Sequence, residues 1–178
     1  MGKVFVTYSW SENNEENEKV YSFVDMLRSQ GYDAECDKNR LQKETASSFT
    51  KIMSEGLSND KIIVVLSAHY KKKAEKFAGG VGIEYKIIGT DINTNTNKYI
   101  LVSFDGISND TIGRIVPQLY KSHEIVDLIK DEEAEFQLLF SKLNGEEIIE
   151  FSDVAKTIPS IQKRKPEKFT LKDKKKSV

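Results

Sequence analysis

Cysteine, histidine and proline are scarce in this 178-residue sequence, with one, two and three copies. Because Cys36 is the single cysteine, the chain can form no intramolecular disulfide and no cysteine-based zinc cluster. The two histidines, His69 and His123, are too few for a metal site, and no His-x-x-x-His pair occurs. We therefore predict that the protein binds no metal and works in a reducing compartment.

Long apolar runs are missing as well. No stretch approaches the roughly 20 residues that cross a bilayer. The opening Met-Gly-Lys-Val-Phe-Val enters a strand pattern at once, without the features of a signal peptide. We predict a soluble, cytoplasmic protein with no membrane partner.

Charge is distributed unevenly along the chain. The formal net charge is −1, but residues 151–178 hold nine Lys/Arg against three Asp/Glu, a net of +6, which leaves −7 for residues 1–150. A domain that is acidic in bulk is a poor binder of nucleic acid, so we expect no specific nucleic-acid partner. The lysine-rich residues 160–178 contain few apolar groups and are predicted to form a disordered tail.

Strand-like and helix-like segments alternate along the first 145 residues. Apolar or β-branched runs predict strands at 3–8, 32–36, 61–67 and 98–104, and a short fifth strand within 110–129. Helical periods lie between them, and a last helix is predicted from about 131 to 143. We expect a polar loop at 38–44, then a helix capped by Thr45. This alternation predicts an α/β, flavodoxin-like fold, an open, mainly parallel five-stranded sheet with helices on both faces.

A glycine-rich segment places one carboxylate where a helix is expected to begin. Glycines at 79, 80 and 82 precede Glu84, so a ligand could approach the backbone closely there. A phosphate-binding loop is a poor match, because Tyr85 replaces the third glycine of Gly-x-Gly-x-x-Gly and no Lys-Ser/Thr follows. Two interpretations stay open: Glu84 lines a functional cleft, or the glycines only turn the chain and Glu84 lies on a solvated helix face.

Other familiar chemistries lack their residues. A Ser/His/Asp hydrolase would need a Gly-x-Ser-x-Gly turn, which is absent, so His69 is interpreted as a polar loop residue. A phospho-acceptor receiver needs an acidic cluster after strand one, where Tyr8-Ser9-Trp10 stands instead. The Lys71-Lys72-Lys73 run is most simply a solvated helix face.

The predicted topology brings several polar residues to one edge of the sheet. In open parallel sheets ligands bind beyond the carboxyl ends of the strands. Ser9 and Trp10 follow strand one, Asp37 follows strand two and residues 67–70 follow strand three. We expect these groups to share one rim with the segment that carries Glu84.

The opening Val4-Phe-Val-Thr-Tyr-Ser-Trp10, the Asp37 loop and the Ser67 to Glu84 segment together resemble a TIR domain, of the bacterial kind that grades into SEFIR domains. The resemblance covers residues 1–145 and leaves 146–178 as an extension that ends in the basic tail. It implies a five-stranded sheet, and self-association through the loop after strand two, here 37–44. In many bacterial members it also implies hydrolysis or cyclisation of NAD⁺ by a single glutamate, which Glu84 matches.

The same resemblance implies roles for further residues. NAD⁺ would be the substrate, with no cofactor required, and Ser9 and Asp37 would contact its ribose or phosphate. Many such enzymes carry a tryptophan four residues before the glutamate, where this chain has Gly80. The residues expected to stack on a base instead are Trp10, Tyr70 and Phe77. The glycine-rich form of the segment resembles TIR domains of bacterial antiphage systems, in which a separate sensor or effector protein is a further expected partner.

Two functions are therefore expected from the sequence. The first is an NAD⁺ glycohydrolase or cyclase, activated by self-association, in antiphage immunity. The second is a non-enzymatic TIR–TIR interaction module, in which Glu84 is only a helix residue. The sequence does not distinguish between ADP-ribose and a cyclic isomer of it as the product.

Overall fold

The computed structural model describes residues 2–43, 45–46, 48–166 and 168. The chain divides into two compact units, Met1–Ile148 and Ile149–Val178. Within the first unit the strands are β1 (Lys3–Thr7), β2 (Asp33–Cys36), β3 (Lys61–Leu66), β4 (Tyr99–Ser103) and β5 (Ile125–Asp127). The helices are α1 (Asn14–Ser29), α2 (Asp37–Leu41), α3 (Phe49–Leu57), α4 (Ala68–Glu75), α5 (Gly79–Asp91), α6 (Asn109–Ile115) and α7 (Glu132–Asn144), with a short 3₁₀ helix at Gln118–Tyr120.

The five strands form one parallel sheet in the order β2-β1-β3-β4-β5. β3 lies at the centre, and every residue of it after Lys61 is buried. Such a continuous apolar run is typical of a strand covered on both faces. The α/β fold with an open parallel sheet is confirmed.

Each face of the sheet carries its own hydrophobic core. On one face Val4, Val6 and Tyr8 of the first strand segment pack with α1 and α7, including Phe23 and Leu139. On the opposite face the alternate residues of β3 pack with α4, α5 and the segment around Tyr120, and this core contains Ile62, Val64, Leu66, Tyr70, Tyr85, Ile88, Ile115 and Tyr120. Alternation of side chains along the strands therefore decides which helices each residue meets.

Two helices follow their sequence patterns closely. The Asn13 side chain caps α1 by accepting from the Glu15 amide, and the apolar face of α1 is buried. Gly31, with φ of 94°, lies just past its end. Asp131 caps α7, and Gly145 ends it in the left-handed conformation with φ of 71°.

The segment after β2 differs from the predicted polar loop. Residues 37–41 form α2, and Arg40 has fixed partners: its guanidinium pairs with Glu35 and Glu55 and lies 5.4 Å from the centre of the Phe5 ring. These contacts order a segment whose composition indicates a loop. The next helix is capped by Ser48 rather than Thr45, because the Ser48 hydroxyl accepts from the Lys51 amide. Glu44 and the Phe49 side chain lie outside the described residues.

Cys36 is buried at the end of β2 with an exposed fraction of 1%. Burial raises the pKa of its thiol to about 11. A hydrogen bond from the Cys36 amide to Asn39 holds the start of α2 against the strand.

In the second unit, residues 149–166 and 168 form no helix or strand. The large apolar side chains among them are exposed, and they are Ile149, Phe151, Val154, Ile158 and Ile161. For residues 167 and 169–178 the predicted disordered tail lies outside the described part of the chain.

Candidate functional site

Glu84 lies at a cavity of about 320 Å³ beyond the end of β1. The residue is in the second turn of α5, since the helix begins at Gly79, and its exposed fraction is 1%. The hydroxyl of Thr7, the last residue of β1, donates a hydrogen bond of 2.5 Å to its carboxylate. Glu84 is therefore neither the opening residue of the helix nor on a solvated face.

Burial controls the ionisation of Glu84. It raises the pKa of the carboxyl from 4.5 to about 8, and the negative charge of Asp37 adds to the rise, whereas the hydrogen bond from Thr7 opposes it. At neutral pH the carboxyl of the free protein is therefore mostly protonated. Any chemistry that needs a carboxylate there requires higher pH or a cationic ligand.

Asp37 and Trp10 line the same cavity. Asp37 is buried at the start of α2 and accepts a hydrogen bond of 2.5 Å from the indole Nε1 of Trp10. Burial raises the pKa of Asp37, and hydrogen bonds from Trp10 and Tyr8 limit the rise. Two acidic groups with raised pKa thus face one cavity, with an indole ring beside them.

The three glycines have different roles. Gly79 has φ of 59°, and no atom lies within 4 Å of the position of its missing Cβ. Gly80 lines the cavity, with Met53 Cγ 3.9 Å from its missing Cβ. At Gly82 a Cβ would lie 2.2 Å from the Phe77 carbonyl carbon, so this glycine permits close backbone packing. Only the first two therefore leave space for a ligand.

Three of the predicted site residues do not line this cavity. Ser9 lines a second, smaller cavity on the other side of the β1 end. Tyr70 is fully buried in the core, where its hydroxyl lies 3.4 Å from that of Tyr120. Phe77 is 64% exposed, and its ring packs 6.1 Å from the Tyr85 ring, centre to centre. The expected stacking roles of Tyr70 and Phe77 do not fit these positions. Of the three residues expected to stack on a base, Trp10 is the one that lines the cavity with Glu84 and Asp37.

Two further residues line the cavity without having been predicted from the sequence, Thr7 and Lys73. Thr7 is the one polar side chain that follows Lys3 within β1, which was the available signal. The ammonium of Lys73 donates 3.0 Å to the Trp10 carbonyl and its side chain lines the cavity, so it is not simply part of a solvated face. No sequence signal links it to Trp10, which lies 63 positions away.

The described residues include no group of three or more His, Cys, Asp or Glu arranged to hold a metal ion. Nor do they include a helix whose length and apolar character would let it cross a membrane.

Comparison with known proteins identifies the family. The SEFIR domain family matches residues 2–123, so the chain belongs to the SEFIR family, within the TIR-like superfamily. The crystal structure of a prokaryotic SEFIR domain is similar, with a TM-score of 0.63 and 21% identity over 87% of this chain and all of that one. The SEFIR domain of IL-17 receptor B gives a TM-score of 0.54 and 16% identity over 79% of this chain and 96% of that one. No curated protein matches the sequence.

Proposed function

We propose that this SEFIR domain is a protein-interaction module that associates with other copies of its own kind. Family membership supports the proposal, because TIR-like domains act through homotypic contacts. In the antiphage setting that the sequence resemblance implies, a separate sensor protein would bring the copies together.

One surface feature carries the proposal. Ile83 and Ile87 lie one turn apart on α5 and are 54% and 45% exposed. Two isoleucines at this spacing form an apolar strip that water solvates poorly and that a second protein surface could cover. The strip belongs to the helix that carries Glu84, so association there would occur close to the cavity.

The strip is tested by charge substitution. The double variant Ile83→Lys/Ile87→Lys is expected to stay monomeric at concentrations where the parent forms dimers or larger species in sedimentation velocity. Ile129→Lys is the matched control, because Ile129 is an isoleucine of 61% exposure elsewhere on the domain. A parent that is strictly monomeric at every concentration, or a double variant that associates like the parent, would contradict the proposal.

NAD⁺ cleavage is a second candidate function, and the position of Glu84 favours it. The nicotinamide of NAD⁺ leaves as a neutral ring, so the group that must be stabilised is the oxocarbenium-like ribose. An ionised Glu84 at the cavity wall would provide that stabilisation, Asp37 would contact ribose, and Trp10 would stack on a base. Water attack would give ADP-ribose and internal attack a cyclic isomer.

The raised pKa of Glu84 makes this candidate testable by pH. Because the carboxyl has to be ionised, nicotinamide release is expected to increase as pH rises toward about 8. Glu84→Gln is expected to reduce the rate by roughly 10² to 10³. Glu133→Gln, the same change at an exposed position of α7, should leave it unaltered.

Nicotinamide release should be assayed on concentrated protein, because a site that is completed by association would be inactive in dilute solution. If no nicotinamide is released at any protein concentration or pH, NAD⁺ cleavage is excluded and the interaction module is the remaining function. A Glu84→Gln variant that is as active as the parent would exclude Glu84 as the catalytic residue.

A further inference from the structure

An open groove of about 700 Å³ lies between α1 and α7. The rings of Phe23 and Phe104 pack edge to face in it, with 5.3 Å between their centres. Ile129 stands at the groove with 61% of its surface exposed. The rest of the apolar floor comes from α1, α7 and the residue after β5, and consists of Met26, Phe136 and Leu128. The hydrophobic core of this face of the sheet therefore reaches the surface between the two helices.

The length of the groove indicates the shape of its occupant. The lining residues of α1 run from Glu15 to Met26, which is three helical turns or about 16 Å at 1.5 Å per residue. Helices form both walls, so the groove offers no row of free backbone groups to which an extended strand could bond. An apolar groove of this length fits the apolar face of a third helix.

The charges at the groove indicate the sign of the occupant. Three exposed carboxylates line it, those of Glu15, Glu18 and Glu132, and Lys19 is the one cation among the described lining residues. No ion pair or hydrogen bond joins these three carboxylates to another residue that the structure describes. They are therefore available to cations of a partner, and they would repel an anionic membrane or a nucleic acid. Pairing with the same groove of a second copy would bring like charges together, which is unfavourable.

We propose that this groove binds an amphipathic helix of a partner protein, with lysine or arginine beside its apolar face. The apolar face of that helix covers the aromatic floor of the groove. Its cations meet the three carboxylates at the edge, which set the orientation of the helix and exclude acidic helices.

The groove is separate from the surfaces of both proposed functions. α1 and α7 pack on one face of the sheet, whereas α5, which carries Ile83 and Ile87, packs on the other. The described lining residues of the groove include none of those at the Glu84 cavity. Failure of this proposal would therefore leave self-association and NAD⁺ cleavage untouched.

The test is fluorescence anisotropy of a labelled synthetic peptide titrated with the full chain. The peptide has about 14 residues, roughly four helical turns, with leucine at helical spacing and lysine elsewhere. We expect it to bind saturably. A peptide of the same composition without an apolar face, and one with glutamate in place of lysine, should each bind at least ten-fold more weakly. These comparisons use the parent chain and do not depend on the folding of any variant.

Charge reversal locates the binding site. Glu18→Lys/Glu132→Lys should weaken binding of the lysine peptide by roughly ten-fold or more, because two attractions become repulsions. Asp25→Lys/Asp110→Lys is the matched control and should not weaken it. This control changes the net charge equally, at an exposed position of α1 outside the groove and in the first turn of α6, as Glu132 is in the first turn of α7.

The groove and the α5 strip should respond to different substitutions. Ile129→Lys should weaken the lysine peptide by about ten-fold and leave self-association unchanged, whereas Ile83→Lys/Ile87→Lys should do the reverse. The proposal is overturned if the lysine peptide does not bind, if either comparison peptide binds as tightly, or if both charge-reversal pairs weaken binding equally. It is also overturned if Glu18→Lys/Glu132→Lys abolishes self-association in sedimentation velocity, because the occupant would then be a second copy.

Discussion

The ionisation of Glu84 should make the stability of this domain depend on pH. In the folded protein burial raises the pKa of this carboxyl from 4.5 to about 8. Between those values the folded chain holds a proton that the unfolded chain releases, so raising the pH favours unfolding. The stabilisation from this group is complete below about pH 4.5 and is lost as pH rises to about 8.

The size of the effect follows from the shift. A rise from 4.5 to about 8, at about 1.4 kcal/mol per pH unit, corresponds to at most about 5 kcal/mol. Relaxation of the site and entry of water on ionisation reduce this, so we expect about 2–4 kcal/mol. That is a large share of the stability of an ordinary domain.

Urea unfolding of the parent and of Glu84→Gln, at intervals from about pH 5 to about pH 8, measures the effect. Glutamine stays neutral throughout, and its amide oxygen can still accept from the Thr7 hydroxyl. The difference in free energy of unfolding, parent minus variant, should fall by about 2–4 kcal/mol across this range. The difference in free energy of unfolding between the parent and Glu133→Gln, a change at an exposed position, should not vary with pH. If the difference for Glu84→Gln does not vary with pH either, burial does not hold the carboxyl neutral and the reasoning is refuted.

Three other predictions follow from the same structure. Gly82→Ala should reduce the free energy of unfolding by more than about 2 kcal/mol because its methyl would meet backbone at 2.2 Å, whereas Gly80→Ala, with 3.9 Å of space, should change it little in the same urea titration. The fluorescence of Trp10, the single tryptophan, should change with pH as Asp37 ionises, with a midpoint above pH 3.8, the ordinary pKa of an aspartate. This change should be absent in Asp37→Asn. Deletion of residues 149–178 should leave cooperative unfolding with a melting temperature within about 4 °C of the parent, measured by circular dichroism.

Much of the fold could be predicted because its signals are local. The continuous apolar run of β3 and the 3.6-residue period of α1 depend on neighbouring positions, and both predictions are confirmed. β5 (Ile125–Asp127) lies inside the window predicted for it. The prediction of a loop at 38–44 is wrong for residues 38–41, which belong to α2, because their order depends on Arg40 contacts with residues before and after them.

The site was harder to predict because its composition depends on which side of the sheet each residue faces. Asp37 and Trp10 lie at the Glu84 cavity, but Ser9, adjacent to Trp10, lines the other cavity. Tyr70 was expected beside a ligand and is buried in the core instead. The spacing of Tyr70 and Ala74, both fully buried one turn apart, was the available signal that this side of α4 packs inward.

The burial of Cys36 has a practical consequence for studying this protein. A thiol that is 1% exposed, with its pKa raised to about 11, offers little thiolate to a maleimide or a spin-label reagent. The natural chain therefore already behaves as a cysteine-free background. A cysteine introduced at the surface could be labelled selectively, and distances between labels on two copies would then report the geometry of any assembly.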